Sequence, residues 1–155
     1  MELKDITFVL QECDSSEAYG DRDVLLRVLL NLIGNAIKFA WSGTRIDFEI
    51  RKEKDKVCGD TTGWLEVVMS DRCPAIPREY HESIFERYNR GPDRTQKEKA
   101  GRGIGFYFCR LAIESHGGTI WFESPIAGKK TGVVVHFTLP TVERVTGAQG
   151  EGSQT

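Results

Sequence analysis

Residues 22–40, RDVLLRVLLNLIGNAIKFA, decide how the rest of the chain is arranged. Leu25, Val28, Leu29, Leu32, Ile33 and Ala36 recur at helical spacing, so the stretch reads as one long helix with Asp21 as its N-cap. At about 100° per residue, Asn31, Asn35 and Lys38 fall within about 60° of one another, on a different side from the apolar set. The helix therefore has a core face and a separate stripe of two amides and an ammonium. Asn is a poor helix former. Its side-chain oxygen suits a hard cation such as Mg²⁺, and Lys meets phosphate as a point charge. On spacing alone, a solvated polar face accounts for the same stripe.

A helix with one apolar face needs a second layer, and the flanking segments supply strands. Residues 6–11 read as a strand. In 45–51, Ile46, Phe48 and Ile50 alternate with Arg45, Asp47, Glu49 and Arg51, the pattern of a half-buried strand. Residues 52–63 form a polar, turn-rich connection, and 64–69 another strand. Pro74 and Pro77 break regular structure, and a short helix is expected over 79–87. Residues 89–103 carry three glycines and several charges without periodicity, as a mobile loop would. A second long helix is expected over 105–116, stopped by Gly117-Gly118, with strands at 119–123 and 133–139. The short link Pro125 to Gly132 between those two strands predicts an α/β (α+β) two-layer sandwich. Its sheet is mixed and mostly antiparallel, and about three helices cover one face. Residues 1–140 form one domain, and the polar, glycine-containing stretch 141–155 is expected to be a disordered tail.

The 155 residues are 39% hydrophobic and 28% charged with a net charge of -2, a composition that gives no sign of nucleic-acid binding or of a basic membrane patch. No apolar run approaches the ~20 residues of a membrane span, and the N-terminus lacks the apolar core of a signal peptide. Cys13, Cys58, Cys73 and Cys109 form no CxxC pair, so a zinc site and a disulfide framework are not indicated and a cytoplasmic setting fits.

Three further stretches carry chemistry. Gly101-Arg102-Gly103-Ile104-Gly105 leads into the second helix, where glycines let backbone N–H groups approach phosphate oxygens and the helix dipole favours the anion. The run lacks the preceding strand of a dinucleotide fingerprint and the Gly-Lys-Ser/Thr of a P-loop, so a flexible hinge is an equal reading. Asp71 ends a strand, where its carboxylate could accept from an exocyclic amine or make a local Asx-turn. Ile84-Phe85-Glu86-Arg87-Tyr88-Asn89-Arg90-Gly91 places Phe85 and Tyr88 at the base of the loop, with Arg87 and Arg90 in reach of a phosphate or of solvent.

Taken together, in order and spacing, these segments resemble the catalytic domain of histidine kinases, within the ATPase superfamily that includes DNA gyrase, MutL proteins and the large heat-shock chaperones. The resemblance covers about residues 5–140. Asn31 to Phe39 looks like the asparagine box, Asp71 to Pro77 the first glycine box, Ile84 to Arg90 the phenylalanine box and Gly101 to Gly105 the second glycine box. His116-Gly117-Gly118-Thr119-Ile120-Trp121-Phe122-Glu123-Ser124 is similar to the helix end and strand that follow in histidine kinases. The resemblance implies ATP and Mg²⁺ as cofactors, with Asn35 ligating the metal. It implies that Asn31, Lys38 and Arg90 act on the phosphates or the transferred group. Asn35, Asp71, Ala75, Ile76, Tyr88, Gly101, Arg102, Gly103, Ile104 and Gly105 would contact the nucleotide, with Asp71 on the adenine amine and residues 91–102 as the ATP lid.

The implied reaction is transfer of the γ-phosphoryl group to a histidine on a separate dimerisation/phosphoacceptor domain, as in two-component signal transduction. A response regulator lies downstream. His81, His116 and His136 do not suit the acceptor role, so the chain is expected to be a fragment of a longer protein and monomeric in isolation, and any membrane anchor would belong to the parent. The first glycine box departs from the family's Asp-x-Gly-x-Gly: it reads Asp71-Arg72-Cys73-Pro74-Ala75. The lost glycines open an alternative, a pseudokinase regulatory module with weak or no nucleotide binding.

Overall fold

Asp21 starts the first helix: its Oδ1 accepts hydrogen bonds from the backbone N–H groups of Asp23 at 3.0 Å and Val24 at 3.1 Å. This computed structural model describes residues 4–13, 17–54, 57, 61–86, 101–142 and 144–145. In chain order the elements are β1 (Ile6–Cys13), α1 (Arg22–Phe39), β2 (Thr44–Lys54), β3 (Thr61–Asp71), a 3₁₀ turn (Arg78–Tyr80), α2 (Gly101–Ser115), β4 (Ile120–Glu123) and β5 (Val133–Pro140). At the far end of α1, Lys4 Nζ donates to the carbonyls of Ile37 at 3.0 Å, Lys38 at 2.6 Å and Ala40 at 3.0 Å. A cation there satisfies orphan carbonyls and suits the helix dipole. The α2 helix ends as its glycines predict. Gly117 takes φ +81°, its N–H donates to Glu114 O at 2.9 Å, and Gly118 N–H reaches back to Ile113 O at 3.0 Å.

The strands form one sheet in the order β1-β2-β3-β5-β4. Only β1 and β2 run parallel; the other neighbours are antiparallel. The expected mixed, mostly antiparallel two-layer sandwich is therefore observed. Ile46, Val67, Met69, Val135, Phe137 and Leu139 on one sheet face pack against Val28, Leu32 and Ala36 of α1 and Phe106, Cys109, Ala112 and Ile113 of α2. These residues fall at the period-2 and period-3.6 positions that periodicity marks.

Four expectations need correction. Among the described residues there are two α-helices, not about three: the segment expected as a helix over 79–87 is a 3₁₀ turn followed by hydrogen-bonded turns. Its bonds alternate between three-residue spacing (Tyr80 N to Pro77 O, Glu86 N to Ser83 O) and four-residue spacing (Ile84 N to Tyr80 O), so no continuous α ladder forms. The connection expected over 52–63 is strand at both ends, over 52–54 and 61–63, since β2 and β3 stay paired from Asp47↔Ser70 out to Lys54↔Thr61. Backbone ladders form whether or not the side chains are polar. Helix α2 begins at Gly101 rather than near 105, so the glycine run lies in its first turns; glycine lowers helix propensity without forbidding the conformation. The ordered chain also runs past 140. Thr141 bridges Ala18, Val142 N–H donates to Glu17 O at 2.8 Å, and the Arg144 guanidinium lies 4.8 Å from the Trp64 ring centroid. Residues 146–155 of the expected tail lie outside the described residues.

The other sheet face carries a polar network. Glu66 accepts from Arg51 Nε at 2.9 Å and lies 2.9 Å from His136 Nδ1. The His136 ring stacks on Trp121 with centroids 5.0 Å apart and planes 1° from parallel. Partial burial pushes the Glu66 carboxyl up, but the hydrogen bonds and charges of Arg51 and His136 outweigh it, and its pKa falls below the ordinary value. A carboxyl with a lowered folded-state pKa stabilises the fold above its ordinary value of 4.5 and loses that contribution as pH falls through the folded-state value. The melting temperature of Glu66→Gln, followed from neutral pH down through this range, is expected to fall less steeply than that of the wild type. Parallel curves would remove Glu66 from the acid response.

Candidate functional site

Helix α1 carries Asn31, Asn35 and Lys38 on one side, as its periodicity implies; the two amides are half-buried and Lys38 is exposed, its Nζ 5.8 Å from the Phe39 ring centroid. The start of α2 closes on this side. A Cβ built on Gly105 would lie 3.2 Å from Asn35 Nδ2 and 3.8 Å from Asn31 Cβ, so glycine at 105 permits the two helices to meet at the asparagines. Asn35 Nδ2 is buried and has no hydrogen-bond partner among the described residues. Such an amide calls for an explanation, and a ligand held there is one.

The end of β3 lies at the same end of the sandwich, because Trp41 N–H, just beyond α1, donates to Arg72 O at 3.0 Å. Asp71 is only 5% exposed and Cys73 is 0% exposed. The Cys73 thiol donates to Asp71 Oδ1 at 3.0 Å. Arg72 points to the other face, where it pairs with Asp47. Burial pushes the Asp47 carboxyl up, but the Arg72 and Gln11 hydrogen bonds and the Arg72 and Arg45 charges bring it below its ordinary value.

The link between β4 and β5 fastens the turn after Asp71. Gly132 N–H donates to Cys73 O at 2.8 Å. Ser124 Oγ accepts from Ile76 N–H at 2.9 Å and donates to Gly132 O at 2.7 Å. Gly132 has φ +98°, and a Cβ there would lie 3.1 Å from Asp71 O. Ile76 is buried in the core and Ala75 is half-buried beside it.

Phe85 packs edge-on to Phe106 of α2 with centroids 5.3 Å apart and tilts against Phe122 of β4 at 5.8 Å. His81 meets Phe122 edge-on at 5.0 Å, and its Nε2 lies 2.8 Å from Ile76 O. Phe85 thus joins the segment before the glycine run to the helix that contains it. Arg87, Tyr88 and Arg90, and the expected lid up to residue 100, lie outside the described residues, as do the side chains of Arg102 and Ile104. The structure therefore brings Asn31, Asn35 and Gly105 into contact, with Asp71, Ala75 and Ile76 on the adjoining turn. Sequence reasoning gave no role to Ser124 or Gly132. Their partners lie 48 and 59 residues away in the chain, and no local pattern marks such a contact.

His116 serves the other end of the helix pair. Its Nε2 accepts from Asp21 N–H at 3.0 Å, and its Nδ1 lies 2.6 Å from Ala112 O. One tautomer satisfies both contacts and ties the end of α2 to the start of α1.

Residues 20–143 match the family described as histidine kinase-, DNA gyrase B-, and HSP90-like ATPase. An adaptive-response sensory kinase, SasA, of Prochlorococcus marinus is 34% identical over 131 residues, covering 84% of this chain and 32% of that protein. SasA of Synechococcus sp. (strain JA-2-3B'a(2-13)) is 37% identical over 127 residues, covering 82% and 30%. The chain thus spans about a third of the length of these curated relatives. Among solved structures, a mycobacterial sensor histidine kinase, MprB, superposes with a TM-score of 0.68 at 26% identity, covering 88% of this chain and 84% of that one. The catalytic domain of histidine kinase ThkA superposes with a TM-score of 0.64 at 30% identity, covering 87% and 80%. Among the described residues, no helix is long and apolar enough to cross a membrane.

Proposed function

The chain belongs to the histidine kinase-, DNA gyrase B-, and HSP90-like ATPase family, and from that premise we propose that it binds Mg-ATP and donates the γ-phosphoryl group to a histidine on a separate phosphoacceptor domain. The observation that carries this reading is the buried Asn35 amide, without a hydrogen-bond partner among the described residues, where Gly105 of α2 meets α1. That environment fits a phosphate: the buried Nδ2 is a donor that a phosphate oxygen would satisfy, and the N-terminus of α2 favours an anion; the oxygen of the same amide would be the hard ligand for a cation.

In this mechanism Asn35 holds the cation, while Asn31 orients the phosphates. Lys38 and Arg90 neutralise phosphate charge. Asp71 accepts from the adenine amine, and Gly101, Gly103 and Gly105 leave room for backbone N–H groups against phosphate. Bound Mg²⁺ supplies charge neutralisation at the transferred group; the protein supplies position. The acceptor histidine, the dimerisation domain and a downstream response regulator are partners on the same reading, as is a cytoplasmic setting.

The buried Cys73 in the first glycine box favours a second reading, a pseudokinase module in which the side chain takes room a nucleotide would use. Calorimetric titration with a non-hydrolysable ATP analogue, with and without Mg²⁺, separates the two. Micromolar binding that weakens at least about tenfold without Mg²⁺ is expected, followed by label transfer from ATP to a supplied phosphoacceptor domain. A folded sample that binds nothing up to millimolar nucleotide would leave the pseudokinase reading standing.

A further inference from the structure

Cys73 and Cys109 are equally buried and differently placed. The Cys109 thiol faces Val28 O at 3.7 Å between the helices, and burial pushes it up to about 12. It is a core residue. Cys73 instead stands where the related motif carries a glycine, and its thiol meets the one carboxylate of that motif, donating to Asp71 Oδ1 at 3.0 Å. Its backbone is held as well, since its carbonyl accepts from Gly132 N–H at 2.8 Å.

We propose that Cys73 is a positioning residue for Asp71: its thiol holds one carboxylate oxygen and so sets the plane in which Asp71 meets the adenine amine. This rests on the nucleotide-binding reading above. A glycine at 73 would offer no side-chain donor, so the cysteine in that place of the motif adds a hydrogen bond to the recognition carboxylate. A carboxylate only 5% exposed depends on donors for its orientation. The thiol is a weak donor, so a hydroxyl at the same place performs the task at least as well.

The test uses Cys73→Ala and Cys73→Ser with two readouts. One is affinity for the ATP analogue. The other is titration of the Asp71 carboxyl carbon by NMR in nucleotide-free protein. Cys73→Ala is expected to bind about fivefold more weakly and to titrate Asp71 at higher pH than the wild type. Cys73→Ser is expected to restore both. Cys73→Gly, a second variant without a side-chain donor, is expected to follow Cys73→Ala and keeps the comparison open if the alanine variant does not fold. Packing alone would make Ala and Ser alike, and equal behaviour of the two in both readouts overturns the proposal. A wild type that binds no nucleotide, while the Asp71 titration still moves with Ala and returns with Ser, would remove the nucleotide reading and keep the thiol–carboxylate contact.

Discussion

Asp71→Asn is expected to leave the fold intact and to lower affinity for an ATP analogue by roughly 2- to 30-fold. The side chain is 5% exposed at the end of β3, and Asn matches it in size. What changes is charge: a hydrogen bond to an ionised partner contributes about 1.5–3 kcal/mol net, against about 1 kcal/mol for a neutral pair. The Cys73 thiol can still donate to the amide oxygen, so the turn from Asp71 to Ile76 keeps its geometry. Discrimination against guanine nucleotides should fall in parallel, because adenine presents a donor amine at the ring position where guanine presents a carbonyl oxygen, which a carboxylate repels and an amide N–H can meet. Titration calorimetry, with circular dichroism as the control for folding, measures both. Wild-type affinity in a folded Asp71→Asn protein would remove Asp71 from base recognition.

Gly118→Ala is expected to destabilise the domain by about 3 kcal/mol, lowering the melting temperature by roughly 10 °C. A Cβ at Gly118 would lie 2.0 Å from Thr138 O and 2.9 Å from Thr138 C. Both are backbone atoms of the interior strand β5, paired on both sides, so neither can swing aside. Thr138 N–H donates to Thr119 O at 2.9 Å, and Thr119 N–H donates to Thr138 Oγ1 at 2.9 Å, which pins the junction of α2 and the sheet at this point. Gly34→Ala is the matched control. It lies mid-helix in α1 with nothing within 4 Å of an added Cβ, so alanine there should be neutral or stabilising by up to about 1 kcal/mol. Equal melting temperatures for the two variants would mean that the junction yields more easily than its geometry indicates.

The asparagine stripe was legible because helical period is local: Asn31, Asn35 and Lys38 share a side once α1 is a helix. The role of Gly105 was legible only in part. A glycine-rich run was evident before α2, but the run lies inside that helix, and the residue that Gly105 accommodates, Asn35, is 70 positions earlier. The pairing of Phe85 with Phe106 has the same character. Each aromatic reads as apolar by itself, and their meeting across residues 87–100 is a packing outcome. Cys73 reads from sequence as the loss of a motif glycine; its hydrogen bond to Asp71 follows from the turn between them.

Periodicity, the Asp21 cap and the Gly117-Gly118 stop suffice for the two long helices apart from the start of α2, the strands near them and the two-layer class, because those signals act within a few residues along the chain. Strand order, the extent of the β2–β3 pairing, the fastening of the Asp71 turn by Ser124 and Gly132, and the burial of the Asn35 amide were settled by the tertiary structure. Each depends on contacts between segments distant in sequence, where backbone pairing and close packing outweigh local preference.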